Sequence, residues 1–173
     1  MLKLNTLSKT FLFLTVLGFS LFLGGYILRQ MLIYQLFETN GIDFKTMYTA
    51  QNLPAVYSTL VSAFILNFLS YYAFIISFVI FLLSSKINIK YEGWLFAIIL
   101  IVAVTAPFEI YLSTIDFKLF GLILSNSAPV NELSELVQKR MSVLSSFPLI
   151  EVFSFVAVIF LFVFKPLRKN NEN

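Results

Sequence analysis

Four long apolar runs govern what this chain can fold into. A helix needs ~20 mostly apolar residues to cross the ~30 Å hydrocarbon core of a bilayer. Lipid offers no hydrogen-bond partner to an open backbone, so each run must close its own backbone bonds as an α-helix. The runs predict helices at about 9–37, 54–85, 93–124 and 131–164. Pro54 suits the first turn of the second helix, where its missing N–H has no helical partner to lose. The expected fold class is all-α, a polytopic membrane four-helix bundle formed by residues 1–165, with 166–173 as a cytoplasmic tail.

Composition points the same way. Charged residues make up 12% of the chain and hydrophobic residues 59%, whereas a soluble domain carries roughly 25% charged residues. The solvent for most of this surface is therefore expected to be lipid. Neither cysteine nor histidine occurs. Their absence excludes a thiolate nucleophile, an iron–sulfur cluster, a Cys/His zinc site and histidine-ligated haem. No metal or cofactor is expected. The net charge of +3 is spread over the tails and short loops and forms no block suited to nucleic acid. The start, MLKLNTLSK, leads into a charge-free run over 10–28 without a small-residue cleavage pattern. It reads as a retained first helix rather than a signal peptide.

The last two helices are longer than a membrane requires. Within 131–147, Leu133, Leu136, Val137, Met141 and Leu144 share one helical face. Glu135, Gln138, Lys139 and Ser142 fall elsewhere, and Glu132 and Glu135 suit the positive end of the helix dipole. With a turn at 125–129, helices 3 and 4 are expected to extend roughly 20 Å outside the membrane as a helical hairpin. Residues 43–51 predict a short surface helix capped by Asp43. Gly24 and Gly25 predict a close helix–helix approach, and Tyr91 and Trp94 an aromatic belt at the start of helix 3.

Basic residues set the orientation. Lys3, Lys9, Lys86, Lys90, Lys165, Arg168 and Lys169 fall on one side, against Glu92 and Glu172. Positive-inside then places both termini in the cytoplasm.

Four polar residues interrupt the spans: Arg29, Asn67, Glu109 and Glu151. Counted along their helices from the basic side, they fall within about 10 Å of one level. An ionised group in lipid costs several kcal/mol and should face a partner or water. One arginine and two glutamates make an uneven set. A carboxylate left over either holds a proton or meets a cation. Tyr26, Gln30, Tyr71, Tyr72 and Tyr111 are candidates to line the same region, and Pro107 and Pro148 each precede one of the glutamates. The competing reading makes the four polar residues helix-to-helix glue, with Arg29 and Glu109 snorkelling to the outer interface.

The segment FSLFLGGYILRQ in helix 1 resembles the W-L-G-G first helix of an uncharacterised bacterial four-helix membrane family related to CopD-type copper-resistance domains. The short loop before LPAVYSTLVSAFILN and the run LVQKRMSVLSS at the start of helix 4 are similar in order. The resemblance implies a four-helix fold in the bacterial cytoplasmic (inner) membrane. The chain has leucine where that family tends to have tryptophan, and it lacks any histidine, which argues against a copper role.

These observations favour a non-catalytic integral membrane protein, an accessory, assembly or scaffolding subunit of a larger complex. Its expected partners are the lipid bilayer and other membrane subunits or further copies of itself. The alternative is a small transporter or oligomeric channel using the intramembrane Arg/Glu cluster. A third reading, a membrane enzyme with the carboxylates as acid and base, lacks a nucleophile.

Overall fold

The first helix begins where a side chain replaces a missing backbone partner. The Asn5 carboxamide oxygen accepts from the Ser8 backbone N–H at 2.7 Å, satisfying one of the donors left open at a helix start. The computed structural model describes residues 4–39, 41–125, 127–143 and 146–167. Among these it is all-helical, with α1 Thr6–Tyr34, α2 Leu53–Ser85, α3 Gly93–Ser125, α4 Val130–Ser142 and α5 Phe147–Phe164. Pro54 sits in the first turn of α2. Two helices end on lysines in the left-handed conformation, Lys86 (φ 51°) after α2 and Lys165 (φ 47°) after α5. Non-glycine residues seldom adopt it, and it stops a helix sharply.

Four of the helices, α1, α2, α3 and α5, are long and apolar enough to cross a membrane. This is a helical membrane protein. The ends Lys3, Arg168, Lys169 and Glu172, used above for orientation, lie outside the described residues.

The most extensive packing joins α1 to α2. A Cβ on Gly18 would stand 3.0 Å from the backbone nitrogen of Phe74, and one on Gly25 would stand 3.6 Å from the Asn67 amide. Gly24 faces open space. The close approach expected of the Gly24–Gly25 pair is thus made by Gly18 and Gly25, two helical turns apart. Glycines at that spacing stay on one face, whereas neighbours point about 100° apart.

Two apolar cores form along the bundle. One gathers Phe19, Phe22, Phe74, Phe78, Leu95 and Phe155 around the basic end. The other gathers Ile33, Tyr57, Phe64, Leu119, Leu133 and Val137 at the opposite end. In α1, α2 and α3 a buried polar stretch separates the two.

The predicted fourth helix, 131–164, is interrupted. Val143 is extended (ψ 121°) at the end of α4, and α5 restarts at Phe147 with Pro148 in its first turn. In a continuous helix the Pro148 ring would clash with the carbonyl four residues back. Leu144, expected on the apolar face, lies outside the described residues. α4 packs along the distal end of α3, where Lys118 pairs with Glu132 at 3.4 Å on the exposed side.

The segment expected as a surface helix at 43–51 is a pinned loop. Phe37 and Phe44 form an antiparallel bridge with stacked rings. Instead of Asp43 capping a helix, its backbone carbonyl accepts from the Glu38 N–H at 2.9 Å. Trp94 is buried, its indole N–H donating to Glu92, while Tyr91 is exposed. The tryptophan therefore closes the bundle end rather than facing lipid headgroups.

The glycine seam is testable by unfolding in detergent micelles. Gly18→Leu forces α1 off Phe74 and is expected to cost about 1–3 kcal/mol. Gly24→Leu points into open space and is expected to change stability by less than about 0.5 kcal/mol.

Candidate functional site

The polar layer between the two cores contains a buried charge triad. Asp116 on α3 accepts from Arg29 Nη1 of α1 at 2.6 Å and from Arg140 Nε of α4 at 3.1 Å. All three are nearly inaccessible, at 2% (Arg29), 2% (Asp116) and 3% (Arg140) exposure. Each carboxylate oxygen serves one arginine, so the aspartate bridges three helices. The Arg29 guanidinium also lies over the rings of Tyr26 and Phe64, at 5.1 and 5.8 Å. Those contacts hold its remaining edge against aromatic faces, a favourable surrounding for a desolvated cation.

Beside the triad lies a second, acidic group. Glu151, at 0% exposure, projects from the first turns of α5. The groups acting on its carboxylate are Glu109 of α3 and Tyr26 and Arg29 of α1. The Tyr71 hydroxyl of α2 faces the same two glutamates. Both Glu151 oxygens, Glu109 Oε1, both polar atoms of Gln30 and the hydroxyls of Tyr26 and Tyr71 are buried without a hydrogen-bond partner. Buried polar atoms are rarely left so, and with Arg29 Nε and Nη2 and Arg140 Nη2 ten of them occur among the described residues of this layer.

Among the predicted polar residues, Arg29, Glu109 and Glu151 are brought together, all buried inside the bundle rather than held at an exposed surface. Asn67 is buried but does other work. Its amide donates to the Phe22 backbone carbonyl at 3.0 Å, tying α2 to α1. Tyr26, Gln30 and Tyr71 are buried as candidate lining groups, Tyr72 is half-buried, and Tyr111 is exposed. Pro107 lies inside a continuous α3, two residues before Glu109.

Asp116 and Arg140 escape the reading by depth, because both fall in the stretch expected outside the membrane. The signal that exposes them is helical face. Asp116 shares its face with Leu112, Ile115 and Leu119, and Arg140 continues the face of Leu133, Leu136 and Val137. A charge on the apolar stripe of an amphipathic helix must meet a partner.

Arg140 and Glu151 stand on either side of the helix break. Arg140 meets Asp116, Arg29 meets the same aspartate, and Arg29 also lies near Glu151 and Glu109. Three carboxylates (Glu109, Asp116, Glu151) thus accompany two guanidiniums (Arg29, Arg140). One positive charge would balance the ionised layer. Among the described residues no group of three or more His, Cys, Asp or Glu is arranged to hold a metal ion. The donors that remain, two carboxylates, two phenols and an amide, suit a proton or a monovalent cation.

Comparison with protein-family models, with curated proteins and with solved structures finds no match to this chain.

The triad is tested by removing its centre. Asp116→Ala leaves two buried guanidiniums without a counter-charge and is expected to cost about 3–5 kcal/mol in detergent unfolding. Replacing the whole triad, with Arg29→Met, Asp116→Leu and Arg140→Met, is expected to recover most of that loss. Lys118→Ala, which removes the exposed pair, is expected to change stability by less than about 1 kcal/mol.

Proposed function

We propose that this chain is a non-catalytic multi-pass membrane protein that takes one proton or one monovalent cation into the Glu109–Glu151 group, as the ion-binding subunit of a larger membrane assembly. The observation that carries the reading is Glu151. Both of its oxygens are buried against Glu109 and Tyr26 without a hydrogen bond of good geometry, while each nearby arginine gives one N–H to Asp116. A carboxylate needed only to hold helices together would sit in the triad. This one is kept out of it and is ringed by Tyr26, Tyr71 and Gln30, which can donate or accept as the occupant requires.

Glu151 lies one turn inside α5. The positive-inside tendency of the lysine-rich end supports a cytoplasmic position for both termini and a site in the outer half of the membrane. The distal end of α3 and the whole of α4 then form a hairpin on the outer face, the surface on which another subunit or a second copy would dock. Four spans enclose little space alone, so movement of an ion past the layer calls for such an assembly. The resemblance of helix 1 to the CopD-related family supports a bacterial inner-membrane location.

Flux across proteoliposomes tests the site. The wild-type protein is expected to dissipate an imposed proton or monovalent-cation gradient, and Glu151→Gln to abolish that flux with the fold intact by circular dichroism. Equal flux through the variant would remove Glu151 from the site. Purification in mild detergent is expected to retain a stable partner subunit or a homo-oligomer. A monomer under all conditions would contradict the assembly.

A further inference from the structure

A cleft opens between α1 and α5, away from the polar layer. These two helices make few contacts with one another, and a cavity of about 490 Å³ lies between them, floored by α2 and α3. That volume falls in the roughly 300–1,000 Å³ range of small-molecule sites. Its walls are apolar, with Leu12, Phe19 and Leu23 from α1, Phe78 from α2, Trp94 from α3 and Phe162 from α5. Its hydroxyls are already spent on their own helices. Thr15 donates to the Phe11 carbonyl and Ser20 to the Val16 carbonyl. The cleft therefore offers an occupant hydrocarbon contact and nothing to bind a polar head.

Positive charge stands at one end of the cleft. Lys165 stands over the Trp94 and Phe162 rings, at 5.4 and 6.0 Å, and both residues line the cleft. The left-handed backbone at Lys165 ends α5 there. On α1, Lys9 precedes the lining residue Leu12 by three positions, which keeps it on the same face, and its side chain is exposed. Both lining stripes thus finish in a lysine at the same end of the bundle. Glu92, also near this end, is buried and engaged by the Trp94 indole.

We propose that the cleft between α1 and α5 is a binding site for an anionic phospholipid of the leaflet at the lysine-rich end, with one acyl chain between the helices and the phosphate against Lys9 and Lys165. The two parts of the site match the two parts of such a lipid. An apolar slot with no polar wall selects a chain, and paired cations at its mouth select a negative headgroup. A neutral apolar molecule would use the slot and leave the lysines idle.

Native mass spectrometry of the full chain, extracted from vesicles of equal phosphatidylglycerol and phosphatidylethanolamine, tests the site. The wild-type protein is expected to retain phosphatidylglycerol in preference to phosphatidylethanolamine. Lys9→Gln with Lys165→Gln is expected to lower that preference by roughly an order of magnitude, while Lys90→Gln, a lysine of the same end but off the cleft, leaves it unchanged. Gly24→Phe, which fills the cleft from a glycine with nothing within 4 Å, is expected to abolish retention of both lipids without lowering the unfolding temperature. Retention without headgroup preference, a preference that survives the double lysine variant, or full retention by Gly24→Phe would each overturn the proposal.

Discussion

A charge taken out of water must be paired, and much of this structure follows from that requirement at Asp116. Taking a carboxylate and a guanidinium out of water costs several kcal/mol per ion, recovered only with close geometry and further hydrogen bonds. Asp116 meets the condition by giving one oxygen to Arg29 and the other to Arg140. To supply Arg140, the chain must return from the distal end of α3 and lay α4 back along it. The chain then breaks and begins a new helix that carries Glu151. Pro148 makes that break compatible with the backbone, since its first-turn position needs no N–H.

The layer also divides the hydrophobic packing. Phenylalanines dominate the core toward the basic end, and smaller aliphatic residues with Tyr57 and Phe64 fill the other. Each core closes over one side of the polar groups and keeps water from them, which strengthens the triad's attraction. The α1–α2 seam supplies the rigid wall. Gly18 lets the backbones approach, and Asn67 ties them with a bond to the Phe22 carbonyl. The same closure sets Glu151 against Glu109 and Tyr26, so the layer combines an ion-paired structural set with a neighbouring acidic one.

Helical content and candidate spans were legible because they depend on runs of residue type. The existence of a polar layer was legible too, since Arg29, Asn67, Glu109 and Glu151 stand out against apolar neighbours. Its membership was not. Asn67 is part of the helix seam and not of the acidic group, and Asp116 and Arg140 belong to the layer despite lying in polar stretches. Distance along a helix cannot reveal that a later helix folds back to the same depth. Glycine roles were misassigned for a similar reason, because adjacency of Gly24 and Gly25 says less than which face meets α2.

Sequence alone determined that four helices are long and apolar enough to cross a membrane, that no cysteine or histidine chemistry is possible, and that charged residues within the spans need partners. These are properties of composition and of runs, and hydrocarbon enforces them whatever the packing. Tertiary structure alone decided which charges pair, where the last helix breaks, and that Glu151 is buried beside Glu109 and outside the triad. Those outcomes depend on distances of a few ångströms between residues far apart in the chain, because a buried ion pair stabilises only at contact.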